Sequence, residues 1–187
     1  PATSIAEEAI KNGIPTVIDF FSEEVGEDIL KKYGCADLIT SHNACAHIDN
    51  LDKVILGIKR LLKETGVFVM EVGYFVDVFE NIWFDTIYHE HLDYHTVAPL
   101  RILFERFDME IFKVERISPQ GGSIRVFVQH KRANHKIDES VREMVILEKD
   151  LGLDKAETLF QFESRINDIR DELKILINEI KAKGKKI

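Results

Sequence analysis

Apolar and polar positions in the first part of the chain alternate between helical and strand-like patterns. Apolar residues from Ala6 to Ile10 indicate a short helix that ends at Gly13, and the apolar run at residues 15–18 predicts a buried strand. Ser22 is followed by two glutamates, which is typical of a helix start, and this helix ends near Gly34.

The same alternation continues to residue 72. Residues 36–41 and 67–72 read as two more strands, separated by a helix that Asp49 or Asn50 caps and Gly66 closes. Helices of this length between short apolar strands predict an α/β fold with a parallel sheet covered on both faces.

The pattern changes in the second half. A helix over residues 100–107 precedes two alternating runs, 110–117 and 123–130, which a Pro/Gly break separates and which predict an antiparallel hairpin. The rest is helical, with apolar residues at three-four spacing from Leu159 onward. We therefore divide the chain into residues 1–132, with the sheet, and a helical extension, 133–187. The long helix is either a dimerising coiled coil or, the preferred reading, a helix packed on its own domain or bridging to another.

Composition narrows the class of protein. The 187 residues are 45% hydrophobic and carry a formal net charge of -8, which argues against nucleic acid as a partner. Cys35 and Cys45 form no CxxC pair, and no apolar run has membrane length. These features predict a cytoplasmic protein without a membrane partner.

The segment from Tyr88 to His91 carries the chemistry. It places a phenol, two imidazoles and a carboxylate at consecutive positions, and such groups together suit proton transfer near neutral pH. His47 follows a predicted strand at the edge where parallel sheets bind ligands. Taken alone, His47 could equally cap a helix or tie down a loop.

Several blocks of sequence resemble one family, the S-adenosylmethionine-dependent C-methyltransferases that act on nucleotide-linked deoxysugars. They follow the family order over nearly the whole chain, and the Tyr-His-Glu-His and Gly-Gly-Ser-Ile-Arg blocks are the specific ones. The matching blocks are residues 13–16, 20–21, 36–39, 43–47, 66–68, 84–91 and 121–126.

The resemblance implies an α/β fold of the class I, Rossmann-like methyltransferase type, incomplete at its N-terminal side. It implies that a base removes the proton α to a sugar ketone and that the enolate attacks the methyl group of S-adenosylmethionine. His91 would be the base, Tyr88 and Glu90 would steady the base or the oxyanion, and His47 would line the sugar pocket. The implied cofactor contacts are Asn43 and Phe20, and the implied substrate contacts are His89, Gly122, Ser123 and Arg125.

The sequence also departs from the family. The Gly-rich turn and the acidic residue that hold the cofactor are absent, which suggests a fragment that also lacks an N-terminal zinc module and a C-terminal domain. Zinc is expected only in that N-terminal part, and no metal is assigned to this chain. Without the intervening strands, we expect residues 15–18 to pair directly with residues 36–41, or another copy of the chain to fill the gap.

Three other functions compete with this one. His89 and His91 could chelate a metal from a strand, although no third ligand is evident. The chain could be a non-catalytic remnant or interaction module, inactive as supplied. A different α/β enzyme lacks support because no nucleophile elbow or phosphate loop is present. For the methyltransferase, the partners would be a sugar nucleotide substrate and, in one reading, a second copy of the chain.

Overall fold

A computed structural model describes residues 2–186. Short 3₁₀ turns at Cys45–His47, Phe84–Thr86 and Pro119–Gly121 interrupt the longer elements. The helices are α1 (Thr3–Lys11), α2 (Glu23–Tyr33), α3 (Leu51–Leu61), α4 (Phe75–Asn81), α5 (Val97–Glu105), α6 (Glu139–Asp150) and α7 (Ala156–Ala182), and the strands are β1 (Ala36–His42), β2 (Leu62–Gly73), β3 (Met109–Ile117) and β4 (Ser123–His130).

The four strands form one sheet in the order β1-β2-β4-β3. β1 and β2 are parallel, whereas β4 runs antiparallel to both β2 and β3. The predicted α/β class and the predicted hairpin are therefore confirmed. β1 and β2 form the parallel part of the sheet, and the short turn between β3 and β4 reverses the chain and inserts β4 beside β2.

Residues 15–18 do not form the predicted strand. They are irregular, and the side chains of Val17 and Ile18 are exposed. A strand needs a neighbour for its backbone N–H and C=O groups, and among residues 2–186 β1 pairs with β2 alone. Direct pairing of residues 15–18 with β1 is thus wrong, while filling of that edge by another copy stays a prediction.

The predicted helix ends are partly confirmed. Ser22 and Asn50 cap α2 and α3 by accepting hydrogen bonds from the N–H groups of the third residue that follows each of them. Gly66, however, does not close α3. This helix ends at Leu61 and the chain turns directly into β2, where a side chain at position 66 would meet Leu62 and the carbonyl of residue 36.

Helix α6 belongs to the same core as the sheet. Val141 is buried within the cluster that contains the inner residues of β2 and β4, and the Glu148 side chain is only 3% exposed. Glu148 accepts hydrogen bonds from the backbone N–H groups of Val97 and Ala98, so α5 begins three residues before the predicted position 100. The division at residues 132 and 133 stays a prediction.

Helix α7 makes its main described contact near its start. Phe162 is buried and packs edge-on against Phe75 and tilted against Phe79, both on α4. Leu173 and Leu176, farther along the helix, are exposed. Assembly of two chains through α7 stays a prediction.

His95 fastens the segment after Tyr88 to the end of β2. Its carbonyl accepts the N–H of Phe75 at 3.0 Å, and its backbone bridges Tyr74 in parallel. The His95 side chain is only 7% exposed, and its Nε2 has no hydrogen-bond partner among the described residues. Burial lowers the pKa of His95 because the imidazolium would lose hydration.

This lowered pKa predicts a loss of stability in acid. Above about pH 6.5 both folded and unfolded forms hold His95 neutral, whereas below it the unfolded chain takes up the proton first and is favoured. Urea unfolding should give a smaller free energy near pH 5 than near pH 7, and His95→Gln should reduce this difference. His89→Gln is the control, and an unchanged pH dependence in His95→Gln would refute the assignment.

Candidate active site

Two histidine-bearing segments meet beyond the carboxyl ends of β1 and β2. One is the turn Cys45–His47, and the other is the irregular stretch from Trp83 to Tyr94. The N–H of Leu92 donates to the carbonyl of Ala46 at 2.8 Å, which fixes the second segment against the first. The structure therefore brings the two predicted histidine-bearing segments together at the sheet edge identified from the sequence, and their functional roles stay predictions.

The His91 ring has a defined orientation. Its Nδ1 lies 2.8 Å from the carbonyl oxygen of Thr86, which can only accept, so Nδ1 carries the hydrogen. In the neutral ring Nε2 is then the basic nitrogen. The Tyr88 hydroxyl lies 3.3 Å from this Nε2, where it can donate to the neutral ring or accept from the protonated one.

His47 is placed in the same way. Its Nδ1 lies 2.7 Å from the carbonyl of Glu90 and must donate to it, which leaves Nε2 as an acceptor. The centroids of the His47 and His91 rings are 4.9 Å apart. His47 therefore ties down the loop with one nitrogen and can offer the other to a ligand.

Glu90 and His89 occupy different positions from the two site histidines. Glu90 contributes through its backbone carbonyl, and its side chain is exposed. The exposed His89 ring lies 6.2 Å from the ring of Tyr88, centroid to centroid. Neither residue lines the pocket, so the roles predicted for their side chains stay predictions.

A pocket of about 80 Å³ opens between these segments and the turn before β4. Four residues with predicted roles line this pocket: Asn43, His47, His91 and Gly122. Tyr88 does not line it and contacts it only through His91. The other lining residues had no role assigned from the sequence. These are Ala46, Val72, Gly73, Phe75, Val78, Trp83, Thr86, Asp93, Tyr94 and Gln120.

Two of the missed residues carried a usable signal. Trp83 is the only tryptophan of the chain and directly precedes the block that begins at Phe84. Gln120 stands between Pro119 and two glycines, in a turn adjoining residues already assigned to the substrate.

Asn43, which the resemblance assigns to the cofactor, has a polar side-chain atom available beside the pocket. Its backbone is left-handed, with φ 49°, and its N–H donates to the carbonyl of Glu71 at 2.8 Å. The side-chain oxygen is buried beside the pocket without a partner among the described residues, so it can accept from a ligand hydroxyl or amino group. Phe20 is 73% exposed and does not line the pocket, so its contact stays a prediction.

Ser123 and Arg125 lie outside the pocket. Ser123 is fully buried, and its hydroxyl donates to the carbonyl of Pro119, which shapes the turn. The Arg125 guanidinium lies 2.8 Å from Glu71 and 3.6 Å from Glu115. Its hydrogen bond holds the pKa of Glu71 below the usual value. Substrate contact by these two residues stays a prediction.

Neither a metal site nor a membrane-spanning helix is found within residues 2–186. In that range no group of three or more His, Cys, Asp or Glu side chains is arranged to hold a metal ion. The helices in the same range are also too short or too polar to cross a membrane.

Comparison with known proteins identifies relatives of the chain. Residues 118–187 match the model of the family described as C-methyltransferase C-terminal domain. All 187 residues align at 34% identity with C-methyltransferase NovU from Streptomyces niveus. This chain is a relative of the C-methyltransferases. The predicted resemblance is thereby confirmed.

The alignment with this relative covers 100% of the chain but only 44% of NovU. Two solved structures show partial likeness. A SAM-dependent methyltransferase from Anabaena variabilis gives a TM-score of 0.45 at 16% identity, covering 60% of this chain and 56% of that one. The YcgJ protein from Bacillus subtilis gives 0.40 at 13% identity, covering 68% and 74%.

Proposed function

We propose that the protein containing this chain methylates the carbon α to the ketone of a nucleotide-linked keto-deoxysugar, with S-adenosylmethionine as methyl donor and His91 as general base. The observation that carries the proposal is the orientation of His91. Its Nδ1–H donates to Thr86, so the basic Nε2 remains available at the pocket. Kinship with a C-methyltransferase supports the reaction class.

The proposed chemistry assigns one task to each of two side chains. His91 Nε2 takes the α-proton, and the electron pair of the broken C–H bond passes into an enolate whose oxygen becomes negative. The Tyr88 hydroxyl, 3.3 Å from Nε2, can accept a hydrogen bond from the imidazolium that results and so steadies the base. S-adenosylmethionine would supply the electrophilic methyl group to the enolate carbon and leave as S-adenosylhomocysteine, and Asn43 is the residue we assign to hold it.

The size of the pocket bears on how the substrate lies. Its volume of about 80 Å³ is well below the roughly 300 Å³ at which ligand pockets begin. We therefore infer that only the reacting part of the sugar enters the pocket. The nucleotide then lies outside the pocket and contacts other residues.

The test uses the full-length protein, S-adenosylmethionine and a nucleoside-diphosphate-linked keto-6-deoxysugar in deuterated water. We expect exchange of the α-proton and a product heavier by one methyl substitution. The control is the same sugar nucleotide with its ketone reduced to an alcohol, which has no acidic α-proton. Absence of both exchange and methyl transfer would favour the non-catalytic alternative.

A further inference from the structure

One wall of the pocket is held in an unfavourable backbone conformation. Gln120 lines the pocket with φ 53° and ψ 32°, the left-handed region that residues other than glycine rarely adopt. Such a residue persists where its surroundings fix it, and the conformation is frequent at ligand sites. The contacts that fix Gln120 therefore bear on what the pocket accepts.

The two glycines after Gln120 pack too closely for any side chain. A Cβ at Gly121 would lie 2.8 Å from the ring of Trp83, and one at Gly122 would fall on the carboxyl group of Asp77. The Gly122 carbonyl accepts the N–H of Tyr74 at 3.2 Å. The turn is thus pressed against α4 and the residues beside it.

Asp77 connects this turn to the strand that leads into it. Its Oδ1 accepts from Nη2 of Arg116 at 2.6 Å, and Arg116 lies near the end of β3, just before the turn. The same nitrogen donates to Glu80 at 2.9 Å. Two ion pairs of Arg116 therefore join α4 to β3, and Gly122 packs on the carboxylate of Asp77.

The surroundings of Asp77 are costly for stability. The residue is 8% exposed, and Oδ2 is buried without a hydrogen-bond partner among the described residues. A buried carboxylate oxygen without a donor loses its hydration and gains no hydrogen bond in exchange. An apolar pair of similar shape would avoid this loss. The packing of Gly122 on this carboxylate places the turn, and this role accounts for a carboxylate at position 77.

We propose that Asp77 is a positioning residue, which through Arg116 and Gly122 holds Gln120 at the pocket so that Gln120 contributes to selection of the sugar. The inference rests on the proposed function, since the sugar is the ligand assigned to this pocket. Asp77 itself does not line the pocket and acts through its neighbours.

The experiment compares Asp77→Asn and Gln120→Ala in the full-length protein, with the nucleoside-diphosphate-linked keto-6-deoxysugar as substrate. Each variant should raise KM for the sugar roughly tenfold and change kcat less than about twofold, because binding is disturbed more than proton transfer. The double variant should be no worse than either single one, since Gln120→Ala removes the contact between Gln120 and the sugar and Asp77→Asn displaces that same contact. Arg116→Gln, which breaks the ion pair from the other side, should match Asp77→Asn.

Asp52→Asn is the matched control. Asp52 also forms a tertiary ion pair, 2.8 Å from Arg106, but it lies outside the pocket and should leave KM unchanged. If Asp77→Asn lowers thermal stability but leaves KM as in the wild type, or if its effect adds fully to that of Gln120→Ala, Asp77 is only structural.

A readout without substrate separates this inference from the proposed function. Trp83 packs on Gly121 and is the only tryptophan of the chain. With any tryptophan outside these residues replaced by phenylalanine, Asp77→Asn should increase quenching of Trp83 fluorescence by acrylamide. Unchanged quenching would overturn the positioning role even if the wild type proves inactive on keto-sugars, whereas wild-type inactivity alone would count against the proposed function.

Discussion

Replacing His91 by Asn is expected to slow methyl transfer by roughly 10² to 10⁴, the range found when a general base is lost. Asparagine retains an N–H that can donate to the Thr86 carbonyl, as Nδ1 of His91 does, but it supplies no basic nitrogen at the position of Nε2. The rate of α-proton exchange into deuterated water should fall together with kcat. Affinity for S-adenosylmethionine should stay close to that of the wild type.

His130→Gln is the matched control for this variant. His130 lies at the end of β4 farthest from the turn at Gly122, and its Nε2 contacts the carbonyl of Leu62. We expect wild-type turnover from it. A His91→Asn enzyme that still exchanges the α-proton at nearly the wild-type rate would show that another group is the base.

Features with local causes could be predicted from the sequence. The start of α2 depends on Ser22, whose side chain accepts the N–H of Val25 three residues later. The hairpin depends on the alternation within β3 and β4 and on the Pro/Gly break between them. In each case the residues that determine the structure lie within a few positions of it.

Features that depend on distant partners could not be predicted. Residues 15–18 have the composition of a buried strand, but a strand forms only when another strand lies beside it. The start of α5 is set by Glu148, which is about 50 residues away along the chain. The apolar pattern within α5 does not indicate that contact.

The candidate site likewise combines features with local causes and features that depend on distant partners. His91 and Tyr88 could be singled out from the sequence because they stand three positions apart in one segment, and the structure places the Tyr88 hydroxyl 3.3 Å from Nε2 of His91. The hydrogen bond between His47 and the carbonyl of Glu90 could not be predicted, because every residue has a backbone carbonyl and the residue type does not indicate which one is used. The position of Gln120 before two glycines indicated a turn, but its left-handed conformation at the pocket could not be predicted from that pattern.

The largest expected effect on stability comes from Glu148. Its carboxylate accepts the Tyr74 hydroxyl at 2.9 Å and the N–H groups of Val97 and Ala98 at 2.6 and 2.8 Å. Burial, reinforced by Glu148, raises the pKa of Tyr74, so this phenol remains a donor. One side chain thus joins α6 to the start of α5 and to the end of β2.

Glu148→Gln should lower the free energy of unfolding by roughly 2 to 4 kcal/mol, because the amide nitrogen that replaces one oxygen would face an N–H donor and leave it unpaired. Tyr74→Phe should cost less through this network, since it removes one donor and leaves the two at α5 satisfied. Glu143→Gln on the same helix is the control: its side chain is exposed, and we expect a change below about 0.5 kcal/mol. Urea unfolding monitored by circular dichroism measures all three. Equal losses for Glu148→Gln and Glu143→Gln would mean that the start of α5 is held by packing alone.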